Sequence, residues 1–116
     1  MAEVNGKIKA PFGFPDVKTF VPGAAVVLTA EQQLSYFTGT VAMAADMTVD
    51  IATDGQLEPG ARVVMRAASD GTARTVTPTN RAIGVAQAGG INQTFLYEFE
   101  LLPTRQWALI NARRIV

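Results

Sequence analysis

TFLYEFEL, residues 94–101, is the stretch on which the reading of this chain turns. Phe95, Tyr97, Phe99 and Leu101 alternate with Thr94, Leu96, Glu98 and Glu100. A period of two sends successive side chains to opposite faces of a strand, one toward a core and one toward water. The pattern recurs on both sides of this stretch. Ala61, Val63, Met65 and Ala67 alternate with Arg62, Val64 and Arg66, so the second strand shows two arginines on its outer face. Met47, Val49 and Ile51 alternate with Thr48, Asp50 and Ala52, and Trp107 and Leu109 with Ala108 and Ile110. Further strands are expected in the AAVVLT run after Pro22-Gly23, over Phe37–Ala44, over Thr72–Thr77 and over Ile83–Ala88.

Turn residues punctuate these runs. Asp54-Gly55, Pro59-Gly60, Gly89-Gly90 and Pro103 separate strands, because Gly admits backbone angles other residues avoid and Pro lacks a ladder donor. Asp70-Gly71 predicts a tight hairpin between 61–67 and 72–77, and Pro78 ends the returning strand. Thr29, followed by Glu31 and Gln32, predicts one capped helical turn through Gln33 and Leu34. About seven or eight short strands, spaced by roughly ten residues, predict an all-β domain. The expected architecture is an antiparallel β-sandwich or a jelly-roll-like barrel.

The 116 residues suffice for one domain with a core. Hydrophobic residues make up 48% and charged residues 17%, the balance of a folding chain rather than a disordered one. Ten Lys and Arg offset ten Asp and Glu. That neutrality argues against direct nucleic-acid binding, which requires concentrated positive charge, and offers little repulsion against self-association. All three lysines (Lys7, Lys9, Lys18) lie near the N-terminus and all seven arginines from Arg62 onward. No apolar run is long enough for a membrane-spanning helix, and the N-terminus lacks the apolar stretch of a secretory signal. Synthesis in the cytoplasm is expected.

Residues 1–22 read as an extended arm before a β domain over 23–116. Gly6, Pro11, Gly13, Pro15 and Pro22 punctuate the arm, yet it carries Phe12, Phe14 and Phe20, with Lys7, Lys9 and Lys18 beside them. These six residues are the candidate interface. The rings either cover the domain's own core edge or dock on a neighbouring subunit.

Candidates for catalysis are scarce. The chain contains no histidine and no cysteine, which removes the commonest general base, the commonest transition-metal ligand and any thiolate site. Neither Ser35 nor Ser69 sits in a nucleophile elbow, and no glycine loop resembles a phosphate cradle. Asp46, Asp50 and Asp54 recur every four residues, but in a strand Asp50 points outward and the three read as solvated carboxylates. Glu98 and Glu100 are expected to pair with Arg62, Arg66 or Arg74 across a sheet. Asn92-Gln93-Thr94 matches a glycosylation acceptor, a pattern common by chance. Trp107 is expected in the core rather than as a platform for a sugar. No enzymatic activity, metal or cofactor is expected.

The stretches MTVDIATDGQLEPGARVVMRAASDGTARTVTPTN and TFLYEFELLPTRQWALI resemble a β-rich module of tailed-bacteriophage head-fibre and capsid decoration proteins. The resemblance covers about two thirds of the chain, from near Phe37 to Asn111, and rests on the order of turns and alternating strands. It implies a homotrimer on the virion surface that decorates or stabilises the capsid, or forms a fibre base. The implied partner is the major capsid protein or another virion protein. It carries no catalytic residues, and it leaves residues 1–30 uncovered. The other reading of the sequence is a tail or baseplate adhesin that binds a surface glycan.

Overall fold

The computed structural model describes residues 17–116, and these form an all-β unit of ten strands with no helix. The strands are β1 (Val17–Phe20), β2 (Ala25–Ala30), β3 (Leu34–Gly39), β4 (Met47–Thr53) and β5 (Arg62–Ala68). β6 (Thr75–Pro78), β7 (Ala82–Ile83), β8 (Gln87–Ala88), β9 (Thr94–Leu101) and β10 (Trp107–Arg114) complete the set. They lie in two sheets, ordered β1-β3-β5-β9-β10-β7 and β2-β4-β6-β8.

The chain alternates between the sheets. Through β8, odd-numbered strands enter the six-stranded sheet and even-numbered strands the four-stranded one; only β9 and β10 are consecutive neighbours in one sheet. β1 with β3, β3 with β5, β2 with β4 and β4 with β6 are therefore parallel pairs, each bridged by a strand of the facing sheet. Parallel neighbours require a crossover, usually a helix. Here a strand serves, so two cores' worth of apolar faces meet without one.

Apolar side chains from both sheets build a single core. The four-stranded sheet contributes Val26, Leu28, Met47, Val49, Ile51 and Val76. The six-stranded sheet contributes Phe37, Val63, Met65, Tyr97, Phe99, Leu101 and Trp107. Trp107 is fully buried and its indole N–H donates to Thr53 Oγ1 at 3.0 Å, tying β10 to the end of β4. Most buried aromatic polar atoms find such a partner.

Several sequence expectations are corrected. The sheets are mixed rather than antiparallel. Asp70-Gly71 does turn the chain, with Thr72 N–H donating to Asp70 Oδ1 at 3.0 Å, but it is no hairpin. β5 and β6 fall in opposite sheets, and the antiparallel partner of β5 is β9. A turn dipeptide sets a local reversal, not the partner strand. The helical turn at Thr29–Leu34 is absent. Thr29 lies inside β2, which ends at Ala30, and the chain returns into β3 after three residues, held by Ser35 Oγ donating to the Gln32 carbonyl at 3.2 Å and Arg62 N–H donating to the Gln33 carbonyl at 2.7 Å.

The strand count is ten rather than seven or eight, the strand expected over Phe37–Ala44 lies at Leu34–Gly39, and the one expected over Ile83–Ala88 is split into β7 and β8 in opposite sheets. Asp50 is a further correction. It does leave β4 on the side away from Val49 and Ile51, but it is only 5% exposed. The turn after β6 crosses over it. Arg81 donates to its carboxylate from the backbone N–H at 3.0 Å, from Nε at 3.1 Å and from Nη2. The guanidinium hydrogen bond, above all, holds the Asp50 carboxyl below the usual carboxylate range.

Candidate interaction surface

The outward face of the six-stranded sheet carries the residues that the core does not explain. Strand register sets them in rows. One row runs Val17, Tyr36, Val64, Glu98, Asn111, and the next Thr19, Thr38, Arg66, Leu96, Arg113. Leu34, Arg62 and Glu100 form a third. A solvated face is normally polar throughout. This one sets Val17, Leu34, Tyr36, Val64 and Leu96 among arginines, with Tyr36 at 39% exposure.

The surface is shaped as well as apolar. A depression of about 250 Å³ is lined by Val17, Tyr36, Thr38, Val64 and Leu96, with Arg66, Glu98 and Arg113 around it. A second, of about 260 Å³, adjoins it at Thr38 and Arg66 and adds Thr40, Val41 and Thr94. Arg66 and Arg113 flank Leu96 from neighbouring strands.

The charges are unevenly engaged. Of the expected pairs between Glu98 or Glu100 and Arg62, Arg66 or Arg74, Arg62 with Glu100 forms, at 3.8 Å, while Glu98 accepts from Asn111 Nδ2 at 2.9 Å. Arg74 instead forks onto Asp70, with Nε and Nη2 each at 3.0 Å, and fixes the turn between the sheets. Arg66 and Arg113 have no carboxylate partner within 4 Å among the described residues. Arginine offers a planar set of donors and stacks on rings, which suits it to protein interfaces beside tyrosine and aliphatic residues.

The residues singled out from sequence fall elsewhere. Phe20 packs half-buried against the core, and Lys18 pairs with Glu31 at the end of β2, so both engage this domain itself. Phe12, Phe14, Lys7 and Lys9 lie outside the described residues. Asp46, Asp50 and Asp54 do not converge. Asp46 Oδ1 accepts from Thr75 N–H at 2.9 Å, Asp50 is bound to Arg81, and Asp54 lies exposed at a turn. No group of three carboxylates suited to a metal occurs among the described residues. The outward face was detectable in one respect: Val64 between Arg62 and Arg66, and Leu96 between Thr94 and Glu98, are apolar residues in the outward phase of a clean alternation.

No protein-family model matches the chain, and no curated protein sequence matches it.

Proposed function

We propose that this chain is a non-enzymatic structural protein of a bacteriophage virion, decorating or stabilising the capsid or forming the base of a head fibre. Its partner is the major capsid protein or another virion protein, held against the outward face of the six-stranded sheet. The observation that carries the reading is that face, with Val17, Tyr36, Val64 and Leu96 placed among Arg66 and Arg113. Contiguous exposed apolar surface rimmed by polar groups marks a contact surface, and buried Tyr and Arg dominate the energy of many such contacts. The order of strands and turns that resembles decoration and fibre modules supports the choice of partner.

Mass spectrometry of purified phage particles, with copy number relative to the capsid protein, tests it. A stoichiometric presence supports the reading, and absence from particles ends it. A glycan-binding adhesin is the second reading, because Tyr36 supplies an exposed ring beside two arginines. Glycan-array binding that is lost in Tyr36→Ala, without presence on the capsid, selects it.

A further inference from the structure

The two sheets have four edges, and they are unequal. β7 and β8 are two residues long. β1 has four residues, carries Lys18, and is followed closely by Pro22. Short length, lysine and proline are the usual protections of an edge against pairing with another chain. β2 has none of them. It runs six residues, AVVLTA, without charge, proline or glycine.

The groups of β2 left open among the described residues can be assigned. Thr48 N–H donates to the Ala24 carbonyl at 3.0 Å and Asp54 N–H to the Ala30 carbonyl at 2.8 Å. In a parallel ladder, alternate residues of a strand bond to one neighbour. The even-numbered residues of β2 therefore serve β4. Ala25, Val27 and Thr29 aim their N–H and C=O groups at the open edge, and their side chains are exposed.

We propose that this edge pairs antiparallel with the same edge of a second copy of the chain, about a two-fold axis at Val27. In an antiparallel ladder, directly opposed residues that bond to each other must both present their groups outward. A two-fold axis at residue 27 satisfies this for every open group: Val27 meets Val27, and Ala25 meets Thr29 on both sides. About six hydrogen bonds result. Val26 falls opposite Leu28, which continues the apolar inner face across the junction. Glu31 falls opposite Gly23, so no like charges meet. The alternatives centred on Ala25 or Thr29 leave open groups unused. The pairing joins two four-stranded sheets into one and closes on itself, which leaves neither copy with a β2 edge to recruit further chains. It involves a different part of the molecule from the proposed capsid-binding face, and it puts a dimer in place of the homotrimer that the resemblance to decoration and fibre proteins implies.

Sedimentation of the full chain at micromolar concentration tests the proposal. The expected mass is twice 12.3 kDa. Val27→Pro removes only an N–H that faces the open edge, a position where a strand accepts proline. This variant should keep a folded β-sheet circular dichroism spectrum and sediment as a monomer. Because the chain has no cysteine, Val27→Cys reports the axis directly. Opposed bonded residues lie about 5.5 Å apart, within disulfide range. Oxidised glutathione should give a covalent dimer from Val27→Cys and none from Val85→Cys, a comparably exposed control. A monomeric parent chain, a mass of three chains, or a dimer that survives Val27→Pro overturns the proposal. Tyr36→Glu should leave the dimer intact, which separates failure of this pairing from failure of the capsid-binding reading.

Discussion

Arg81 closes on Asp50 across 31 positions of sequence, from the turn after β6 to the middle of β4. Both guanidinium and backbone N–H bind the carboxylate, so the crossover between sheets is fastened to the outer surface of β4. The carboxylate is nearly buried while the Arg81 side chain is 55% exposed, so solvent weakens the pair from one side only.

Asp50→Asn should lower stability at neutral pH by about 1–2 kcal/mol. Arg81→Met should cost more than Asp50→Asn, because it leaves a buried carboxylate without its cation. The two variants should also differ with pH. Folding lowers the Asp50 pKa, so its contribution is complete above the ordinary value of 3.8 and disappears as pH falls through the lowered one. Asp50→Asn should flatten that part of the acid limb, leaving the part due to Asp70, which Arg74 shifts in the same direction. Arg81→Met should approach the parent as acid protonates Asp50. Urea melts between pH 2 and 7 would show both trends.

Among the described residues, Tyr97 is the buried side chain whose polar atom has no partner: its hydroxyl makes no hydrogen bond there, and burial pushes its pKa up to about 12. Tyr97→Phe should stabilise the fold by about 1 kcal/mol, since an unsatisfied hydroxyl in the core is costly. The pH dependence follows from the raised pKa. The unfolded chain ionises near 10 while the folded chain does not, so the parent should lose stability as pH rises above 10. Tyr97→Phe should lack this contribution to alkaline destabilisation, as thermal melts from pH 8 to 11.5 would show.

Tyr36→Glu should abolish attachment to capsids while changing the melting temperature little, because the ring points away from the core. Arg66→Ala and Arg113→Ala should each weaken attachment about tenfold, equivalent to roughly 1.4 kcal/mol per contact. Binding of purified variants to particles that lack the protein would measure this. Unchanged binding in all three would rule out this face.

Removing residues 1–16 and removing residues 1–20 should have different effects. The longer deletion takes β1 with it, and with β1 the packing of Phe20 and the Lys18–Glu31 pair. It should cost about 1–2 kcal/mol, through the lost packing of half-buried Phe20 and the lost β1–β3 pairing. The shorter deletion leaves the described domain whole and should keep its melting temperature. If it also loses capsid attachment, Phe12 and Phe14 act as anchors outside the domain.

Alternation made the faces of β4, β5, β9 and β10 legible in the sequence, because burial on one side of a pleated strand imposes a period of two. It predicted that Trp107 and Phe99 face inward and that Glu98 and Glu100 pair with Arg62, Arg66 or Arg74, of which only the Arg62–Glu100 pair forms among the described residues. Partnership between strands was not legible. Val63 has the same pattern whether its neighbour is antiparallel β6 or parallel β3, and nothing local at Asp70-Gly71 reveals that the chain is about to change sheets. Asp50 was assigned to the correct face but the wrong environment. Its cover comes from Arg81, whose approach depends on that same change of sheet. The contact face was overlooked because Val64 and Leu96 each look like one imperfection in a strand, and only the register of five strands gathers them with Tyr36.

The alternation of strands between sheets also constrains how the chain can reach its native state. A hairpin between consecutive strands can form within about 1–10 µs, but β9 with β10 is the one such pair among the described residues. Every other neighbouring pair waits until an intervening segment has found its place in the facing layer. Neither layer is thus a complete intermediate, and the entropy of closing several loops must be lost before their contacts repay it. Refolding should begin at the C-terminal hairpin, proceed slowly for a chain of this length, and finish as one concerted event in which both layers condense together.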